Sequence, residues 1–247
     1  MKKQIVIVGC CLAMVVTLCS FLMPPKRLTV WMMGDSTMAI KSASKFPETG
    51  WGVAFATKFN DRVQVVNKAK NGRSTKSFID EGIWKEIEEH MKPGDYVFIQ
   101  FGHNDEKIEK PKVGTTIAQY KENLSLFVQT ARSKQATPIL MTPIARRSFI
   151  EGKLVDTHKG YPEAVREVAD SLNVMLIDAT KLTMAQLSEM GPTKSESWFL
   201  HLPAGHTNYP NGVQDNTHLN VDGAEQITAL VVGEMKRQKM SLVDELK

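Results

Sequence analysis

The sequence predicts an α/β fold in three layers, in which a five-stranded parallel sheet lies between helices. Two observations carry this prediction. Five short, largely apolar segments alternate with segments of helical periodicity, and such runs are typical of strands that a parallel sheet buries on both faces. In addition, 247 residues suit one large domain, and no internal repeat or low-complexity linker divides the chain.

In the first half of the chain, an apolar run ends at a turn signal, a helical stretch follows, and the pattern then repeats. Gly34 follows the first run and Pro93-Gly94 precedes the third. These residues are turn signals, because glycine and proline favour tight turns. The predicted strands are residues 28–33, 63–67 and 96–101. The predicted helices between them are residues 51–59 and 83–90.

The second half continues the alternation. The fourth and fifth predicted strands are residues 138–142 and 174–178, and the predicted helices are residues 117–134, 162–172 and 221–238. The last helix has one apolar face at helical spacing, as a helix packed on a sheet requires. That face consists of Ala224, Ile227, Leu230, Val231 and Met235.

Residues 191–217 are predicted to form a long irregular stretch, which compact domains seldom keep without a function. Its aromatic and imidazole side chains make it a predicted wall of a binding site. They belong to Trp198, His201, His206 and Tyr209. Trp198 and Tyr209 also support an alternative, a non-catalytic carbohydrate-binding domain, because exposed aromatic rings offer flat apolar surfaces.

Residues 1–24 have the pattern of an export signal. Lys2 and Lys3 form a basic start, and the run from Ile5 to Met23 has no charged side chain. This pattern predicts a signal peptide or an uncleaved N-terminal anchor, with cleavage favoured. We therefore expect an exported protein, periplasmic or extracellular, whose single domain covers residues 28–247. It would meet a membrane only if the N-terminal segment stays attached.

All three cysteines, Cys10, Cys11 and Cys19, lie in the same N-terminal segment. The predicted domain therefore needs no disulfide and offers no thiol, which suits an oxidising compartment. Acylation of one of these cysteines is the less favoured alternative. The apolar run before Cys10 is short, and Leu18 is a bulky neighbour for Cys19.

Composition excludes several classes of protein. With 42% hydrophobic and 23% charged residues, the chain is neither collagen-like, disulfide-dense nor wholly disordered. Its net charge of +4 comes from 31 Lys and Arg against 27 Asp and Glu. So small a net charge creates no strong positive potential that would attract phosphate groups. Nucleic acid is therefore not an expected partner. Of the histidines, His90 and His158 are expected at the surface.

Polar side chains follow three consecutive predicted strands, and a fourth polar set precedes the last helix. The four sets are Gly34-Asp35-Ser36, Asn71-Gly72-Arg73, Gly102-His103-Asn104-Asp105 and Asp215-Asn216-Thr217-His218. In sheets of this kind, ligands bind at the carboxyl ends of the strands, where the strand order reverses. The sequence therefore predicts a site at that edge of the sheet.

The residue types in these sets suit acyl transfer. A serine hydroxyl becomes a good nucleophile only when a base accepts its proton and a third group orients that base. Ser36, His218 and Asp215 are predicted for these three roles. The developing oxyanion needs donors already aimed at it, and the backbone N–H groups of Ser36 and Gly72 and the side-chain amide of Asn104 are the predicted donors. A residue without Cβ, as at Gly72, allows close approach of the substrate.

The same residues also fit roles outside catalysis. Each polar set alone is compatible with a turn or a helix cap, but four sets in this order favour catalysis. Asp178, at the end of the fifth predicted strand, is an alternative acid for the triad. His201 and His206, with Asp215 and His218, suggest zinc, but the paired-histidine spacing of zinc helices is missing. We therefore expect no metal and no cofactor.

The four polar sets resemble the sequence blocks of the SGNH (GDSL-type) hydrolases, over roughly residues 28–238. The resemblance implies a flavodoxin-like α/β/α sandwich and, by matching motif, a nucleophile, two oxyanion donors, a base and its acidic partner. These are Ser36, Gly72 with Asn104, His218 and Asp215. Within the family, the sequence is most similar to rhamnogalacturonan acetylesterases. The segments concerned are residues 34–39, 71–75, 142–143 with 146–147, and 215–220.

This similarity implies a serine esterase that removes acetyl groups from a polysaccharide, with rhamnogalacturonan as the favoured substrate. The backbone of that polymer is acidic, and an arginine can hold a carboxylate through two hydrogen bonds. Arg73, Arg146 and Arg147 are therefore the predicted substrate-binding residues, with purely structural charges as the alternative. Xylan, another acylated glycan or a lipid acyl ester are the alternative substrates.

Overall fold

The computed structural model describes residues 27–247, so the predicted export signal at residues 1–24 lies outside the described residues. The central sheet consists of β1 (Leu28–Gly34), β2 (Val63–Asn67), β3 (Tyr96–Gln100), β4 (Thr137–Met141) and β7 (Met175–Ile177). Two separate hairpins consist of β5 (Phe149–Ile150) with β6 (Lys153–Leu154), and β8 (Phe199–Leu202) with β9 (Val213–Leu219). The helices are α1 (Trp51–Ala56), α2 (Thr75–Asp80), α3 (Ile83–His90), α4 (Ile117–Ser133), α5 (Tyr161–Ser171), α6 (Ala179–Lys194) and α7 (Val221–Arg237). None of the helices in this described range is long and apolar enough to cross a membrane.

The predicted five-stranded parallel sheet is confirmed. Its order is β2-β1-β3-β4-β7, and every neighbouring pair is parallel. The chain leaves β1 toward one edge to form β2 and then returns to the other side of β1 for β3. The strand order therefore reverses at β1, and the carboxyl ends of β1, β2 and β3 lie side by side.

Each face of the sheet packs against its own hydrophobic core, which explains why β1 is apolar at successive positions. Val30 and Met32 point into one core, and Trp31 and Met33 point into the other. The first core includes side chains of α1 and α7, and the second includes side chains of α2, α3, α4 and α5. Complete burial of a large apolar side chain contributes ~1.5–3 kcal/mol, so both helical layers are firmly attached to the sheet.

The prediction of an irregular stretch over residues 191–217 is wrong. Helix α6 bends at Gly191, where φ is +73°, and runs on to Lys194. A turn of 3₁₀ helix and the β8–β9 hairpin occupy most of the remainder. Trp198 is 7% exposed and belongs to the first core. Its ring is therefore not available for stacking on a sugar.

Candidate active site

A sharp turn after β1 places Ser36 at the carboxyl edge of the sheet. The carboxylate of Asp35 accepts hydrogen bonds from the Thr37 N–H at 2.9 Å and the Thr37 hydroxyl at 2.8 Å. The Asp35 carbonyl accepts from the Met38 and Ala39 N–H groups. Just before the turn, a Cβ at Gly34 would lie 2.6 Å from the Gln100 carbonyl oxygen, so the neighbouring strand requires glycine there.

The structure brings Ser36, His218 and Asp215 together in a hydrogen-bonded chain. Nε2 of His218 lies 2.9 Å from the Ser36 hydroxyl, and Nδ1 lies 2.7 Å from Oδ2 of Asp215. Ser36 and His218 are 182 residues apart in the sequence. In this geometry the serine O–H donates to a ring nitrogen whose opposite N–H donates to the carboxylate, which is the arrangement that activates a serine nucleophile.

Asp215 is fixed by the backbone of β9. Its Oδ1 accepts from the Thr217 N–H at 2.8 Å and the His218 N–H at 2.9 Å, and Oδ2 is left for the imidazole. Partial burial opposes ionisation of this carboxyl, but the hydrogen bonds from His218 and Thr217 outweigh it and lower its pKa to about 2. Asp215 is therefore a carboxylate at neutral pH and can stabilise the imidazolium that forms when His218 accepts a proton.

Gly72 lies in a tight turn after β2. The Arg73 N–H donates to the Lys70 carbonyl, and Gly72 has φ +76°. A Cβ at Gly72 would have nothing within 4 Å, so the positive φ is what favours glycine here. Within residues 27–247, the N–H groups of Gly72 and Ser36 donate to no protein acceptor. Both donors are therefore free to bind an oxyanion.

The side-chain amide of Asn104 is 3% exposed and is held at both ends. Its Nδ2 donates to the Arg73 carbonyl at 3.0 Å, which ties it to the loop that carries Gly72. Its Oδ1 accepts from Nζ of Lys107 at 2.7 Å. One N–H of the amide remains for a ligand. The lysine contact could not be anticipated, because no motif marks Lys107.

Each predicted arginine already has a carboxylate partner within the protein. The pairs are Arg73 with Glu81, Arg146 with Glu106, and Arg147 with Glu196, at N–O distances of 3.0, 2.5 and 2.7 Å. Arg147 also donates to Oδ1 of Asn216 at 2.8 Å, next to Asp215 in β9. All three charges therefore have a structural role, and Arg146 and Arg147 also lie after β4 at the edge of the site.

Three buried titratable residues are sequence neighbours of Ser36 and Asn104, namely Asp35, His103 and Asp105. Nδ1 of His103 lies 3.3 Å from Oδ2 of Asp35. Burial opposes ionisation of Asp35, but His103 and Thr37 outweigh it and lower the pKa of Asp35 to about 2. Burial lowers the pKa of His103 to about 4. Burial also raises the pKa of Asp105 to about 7, against hydrogen bonds from Thr75.

The prediction that His158 lies at the surface is wrong. The residue is fully buried, and its ring centroid lies 4.5 Å from that of His103. Its Nε2 contacts the Ile144 carbonyl at 2.9 Å, and its Nδ1 contacts Oε2 of Glu106 at 3.0 Å. His158 therefore joins the loops that follow β3 and β4, at the edge of the sheet that carries Asn104. Sequence reasoning missed it because a lone histidine in a polar segment carries no burial signal.

The alternative acid and the alternative metal ligands have other contacts. Asp178 accepts hydrogen bonds from the Arg166 guanidinium at 2.9 and 3.1 Å and from the Lys181 N–H at the start of α6. His201 contacts Asn216, and His206 packs on Tyr209. Among residues 27–247, no group of three or more His, Cys, Asp and Glu side chains could hold a metal ion. Asp215 is thus the carboxylate that contacts His218.

A parallel α/β sandwich with a Ser-His-Asp chain at the carboxyl edge of its sheet defines the class of serine hydrolases. The model of the GDSL-like lipase/acylhydrolase family matches residues 32–226, and the chain belongs to this family. The protein is therefore an enzyme, a carboxylic ester hydrolase.

Several named relatives cover nearly the whole chain. It is 39% identical to the rhamnogalacturonan acetylesterase RhgT of Bacillus subtilis, over 91% of this chain and 96% of the relative. It is 31% identical to the probable rhamnogalacturonan acetylesterase YesY of the same organism, over 88% of this chain and 96% of the relative. Among solved structures, protein YxiM of B. subtilis has a TM-score of 0.75 at 26% identity, covering 88% of this chain and 58% of YxiM. The acetylxylan esterase Axe2 of Geobacillus stearothermophilus has the same fold, with a TM-score of 0.60 at 17% identity over 86% of this chain and 96% of Axe2.

Proposed function

We propose that the protein is a carbohydrate acetylesterase that removes acetyl groups from rhamnogalacturonan, with Ser36 as nucleophile. The contact of 2.9 Å between the Ser36 hydroxyl and Nε2 of His218 carries the mechanism. Identities of 39% and 31% to rhamnogalacturonan acetylesterases over most of the chain support the substrate.

The reaction begins when Oγ of Ser36 attacks the acetyl carbonyl carbon and its proton passes to Nε2 of His218. The carbonyl oxygen becomes an oxyanion, which the N–H groups of Ser36 and Gly72 and the free N–H of Asn104 stabilise. Collapse of this intermediate breaks the ester bond, and His218 gives the proton to the departing sugar oxygen, which leaves as a hydroxyl. Ser36 then carries the acetyl group.

Water completes the cycle. It attacks the acetyl-serine as His218 accepts one of its protons, and the same donors bind the second oxyanion. Collapse releases acetic acid, which ionises to acetate in water, and His218 returns its proton to Oγ of Ser36. Asp215 remains ionised throughout and stabilises the imidazolium in both half-reactions.

Recognition of an acidic polymer requires cationic side chains close to the active site. Arg146 and Arg147 lie at the edge of the site, but each has a protein carboxylate partner, so a galacturonate carboxylate would have to share its guanidinium. Arg73 has the same constraint through Glu81. We propose a substrate contact for Arg146 and Arg147 that contributes to polymer use and not to the chemical step.

The decisive experiment measures acetate release from acetylated rhamnogalacturonan, acetylated xylan and a small aryl acetate, with wild type and Ser36→Ala. We expect highest kcat/KM on rhamnogalacturonan and no turnover of any substrate by Ser36→Ala. Full activity of the variant would contradict the mechanism. A preference for xylan, or for long acyl chains in a series of aryl esters, would contradict the proposed substrate.

We also propose that the protein is exported and acts in the periplasm or outside the cell, either freed from its N-terminal segment or anchored by it. The basic start and the uncharged run of residues 5–23 support this. Cell fractionation with mass determination of the N-terminus tests it. Recovery of the full-length chain from the cytoplasm alone would contradict it.

A further inference from the structure

Lys107 contacts a proposed oxyanion donor directly. It lies in the loop after β3, where its Nζ donates to Oδ1 of Asn104 at 2.7 Å and its backbone N–H donates to the Asn104 carbonyl at 3.1 Å. The side chain is half-buried, and the accompanying desolvation lowers the pKa of its ammonium group. Both ends of the lysine are thus attached to the same asparagine.

This contact determines which way the Asn104 amide points. Oδ1 can only accept and Nδ2 can only donate, so the amide oxygen must face the ammonium group and the amide nitrogen must face the Arg73 carbonyl. Nδ2 lies 3.0 Å from that carbonyl, which uses one of its two hydrogens. A rotation of the amide by half a turn would place nitrogen against ammonium and oxygen against carbonyl. The remaining N–H is therefore held in a single orientation.

The ammonium group also acts on the strength of that donor. A cation bound to the amide oxygen withdraws electron density from the nitrogen, and charge-assisted hydrogen bonds polarise the groups that they join. The remaining N–H becomes a better donor as a result. Its benefit is larger for an oxyanion than for a neutral carbonyl, so the effect is expected in kcat and not in KM.

We propose that Lys107 is a positioning residue of the active site, which orients and polarises the Asn104 amide so that one N–H binds the oxyanion. The inference rests on the proposed function, in which Asn104 is an oxyanion donor. If Lys107 only held the loop in place, its loss would lower stability. Any accompanying change in kcat would then be the same with and without the Asn104 amide.

A double-mutant cycle on a small aryl acetate separates the positioning role from the structural one. We expect Lys107→Met to lower kcat about tenfold, the effect of losing one charge-assisted contact, with KM unchanged. In an Asn104→Ala background the same replacement should change kcat by less than about twofold, because the amide through which it acts is gone. Lys107→Arg should recover part of the rate. Lys110→Met, which removes an exposed lysine of the same loop, is the matched control and should behave as wild type.

Thermal unfolding of each variant checks that it is folded, and Lys107→Gln replaces the methionine variant if that one is not. A rate loss of equal size in both backgrounds, or a kcat for Lys107→Met within about twofold of wild type, would overturn the role of Lys107. If Asn104→Ala itself keeps the wild-type kcat, the oxyanion assignment fails, and the inference fails with it. None of these results overturns the esterase proposal, which the Ser36→Ala assay tests separately through the contact between Ser36 and His218.

Discussion

The buried carboxyl group of Asp105 should make the stability of the protein depend on pH. The residue follows Asn104 and is fully buried, and its carboxyl group contacts Thr75 at the start of helix α2. Its Oδ1 accepts from the Thr75 N–H at 3.0 Å, the Thr75 hydroxyl at 2.5 Å and the Thr115 hydroxyl at 3.3 Å. Within residues 27–247, Oδ2 has no hydrogen-bond partner. Burial raises the pKa of Asp105 from 3.8 to about 7 despite these donors.

The sign of the effect follows from proton binding. Between about pH 4 and pH 7 the unfolded chain has lost the Asp105 proton and the folded protein still holds it, so rising pH favours the unfolded state. One pKa unit corresponds to about 1.4 kcal/mol. Asp105 therefore lowers the free energy of unfolding by up to about 4 kcal/mol across this window. The contribution is complete above pH 7.

Asp105→Asn removes the titration and keeps an oxygen that can accept from Thr75 and Thr115. The free energy of unfolding of the variant, measured by urea denaturation from pH 4.5 to pH 8, should rise relative to wild type by several kcal/mol. Subtracting the two curves cancels the contributions of Asp35 and His103, which change with pH in the opposite direction. Asp170→Asn, which replaces an exposed aspartate, is the control and should follow wild type. A difference between Asp105→Asn and wild type that stays constant across the whole range would contradict the raised pKa of Asp105.

Two further replacements test the site. Gly72→Ala forces a Cβ onto a residue with φ +76° and should destabilise the protein by about 1 kcal/mol and lower kcat by up to ~10²-fold; unchanged kcat and an unchanged urea midpoint would contradict this. Asp215→Asn removes the acceptor that orients His218 and should lower kcat by about 10³–10⁴-fold with little change in KM on an aryl acetate; retention of even a tenth of the wild-type kcat would contradict it.

The sheet was predictable from the sequence because its strands are buried on both faces. Val30, Trp31, Met32 and Met33 alternate between two cores, so each position must be apolar and the run is continuous. Each predicted strand agrees with the structure to within one residue at either end. The common location of the polar sets could then be predicted, because such sheets bind ligands at the carboxyl ends of their strands.

Helix α6 and the β8–β9 hairpin were not predictable on the same grounds. The buried positions of α6 include Thr180 and Thr183, whose hydroxyls donate to the Pro143 and Ala179 carbonyls at 2.6 Å. Hydroxyls that are hydrogen-bonded in this way can be buried. Threonine at buried positions, however, interrupts the regular spacing of apolar residues from which a helix is predicted. Strand β9 carries Asp215 and His218, so the requirements of the site replace the usual strand residues there.

The contacts that position the site could not be predicted from the sequence, because they join residues that are far apart in the chain. Arg146 and Glu106 are 40 residues apart and Arg147 and Glu196 are 49 apart, and no periodicity or motif connects either pair. The sequence shows that the three arginines are charged, but it does not show which carboxylates form ion pairs with them. The triad was accessible because Ser36, Asp215 and His218 lie in recognisable motifs, whereas Lys107 lies in none.

In the proposed mechanism, Ser36 carries the acetyl group between the two half-reactions. Rapid acid quenching during turnover of an aryl acetate, followed by peptide mass spectrometry, tests this most directly. The peptide containing Ser36 should gain the mass of one acetyl group, this adduct should precede steady-state release of acetate, and Ser36→Ala should form none. An acetyl group trapped on another residue, or turnover by Ser36→Ala at the wild-type rate, would contradict this role of Ser36.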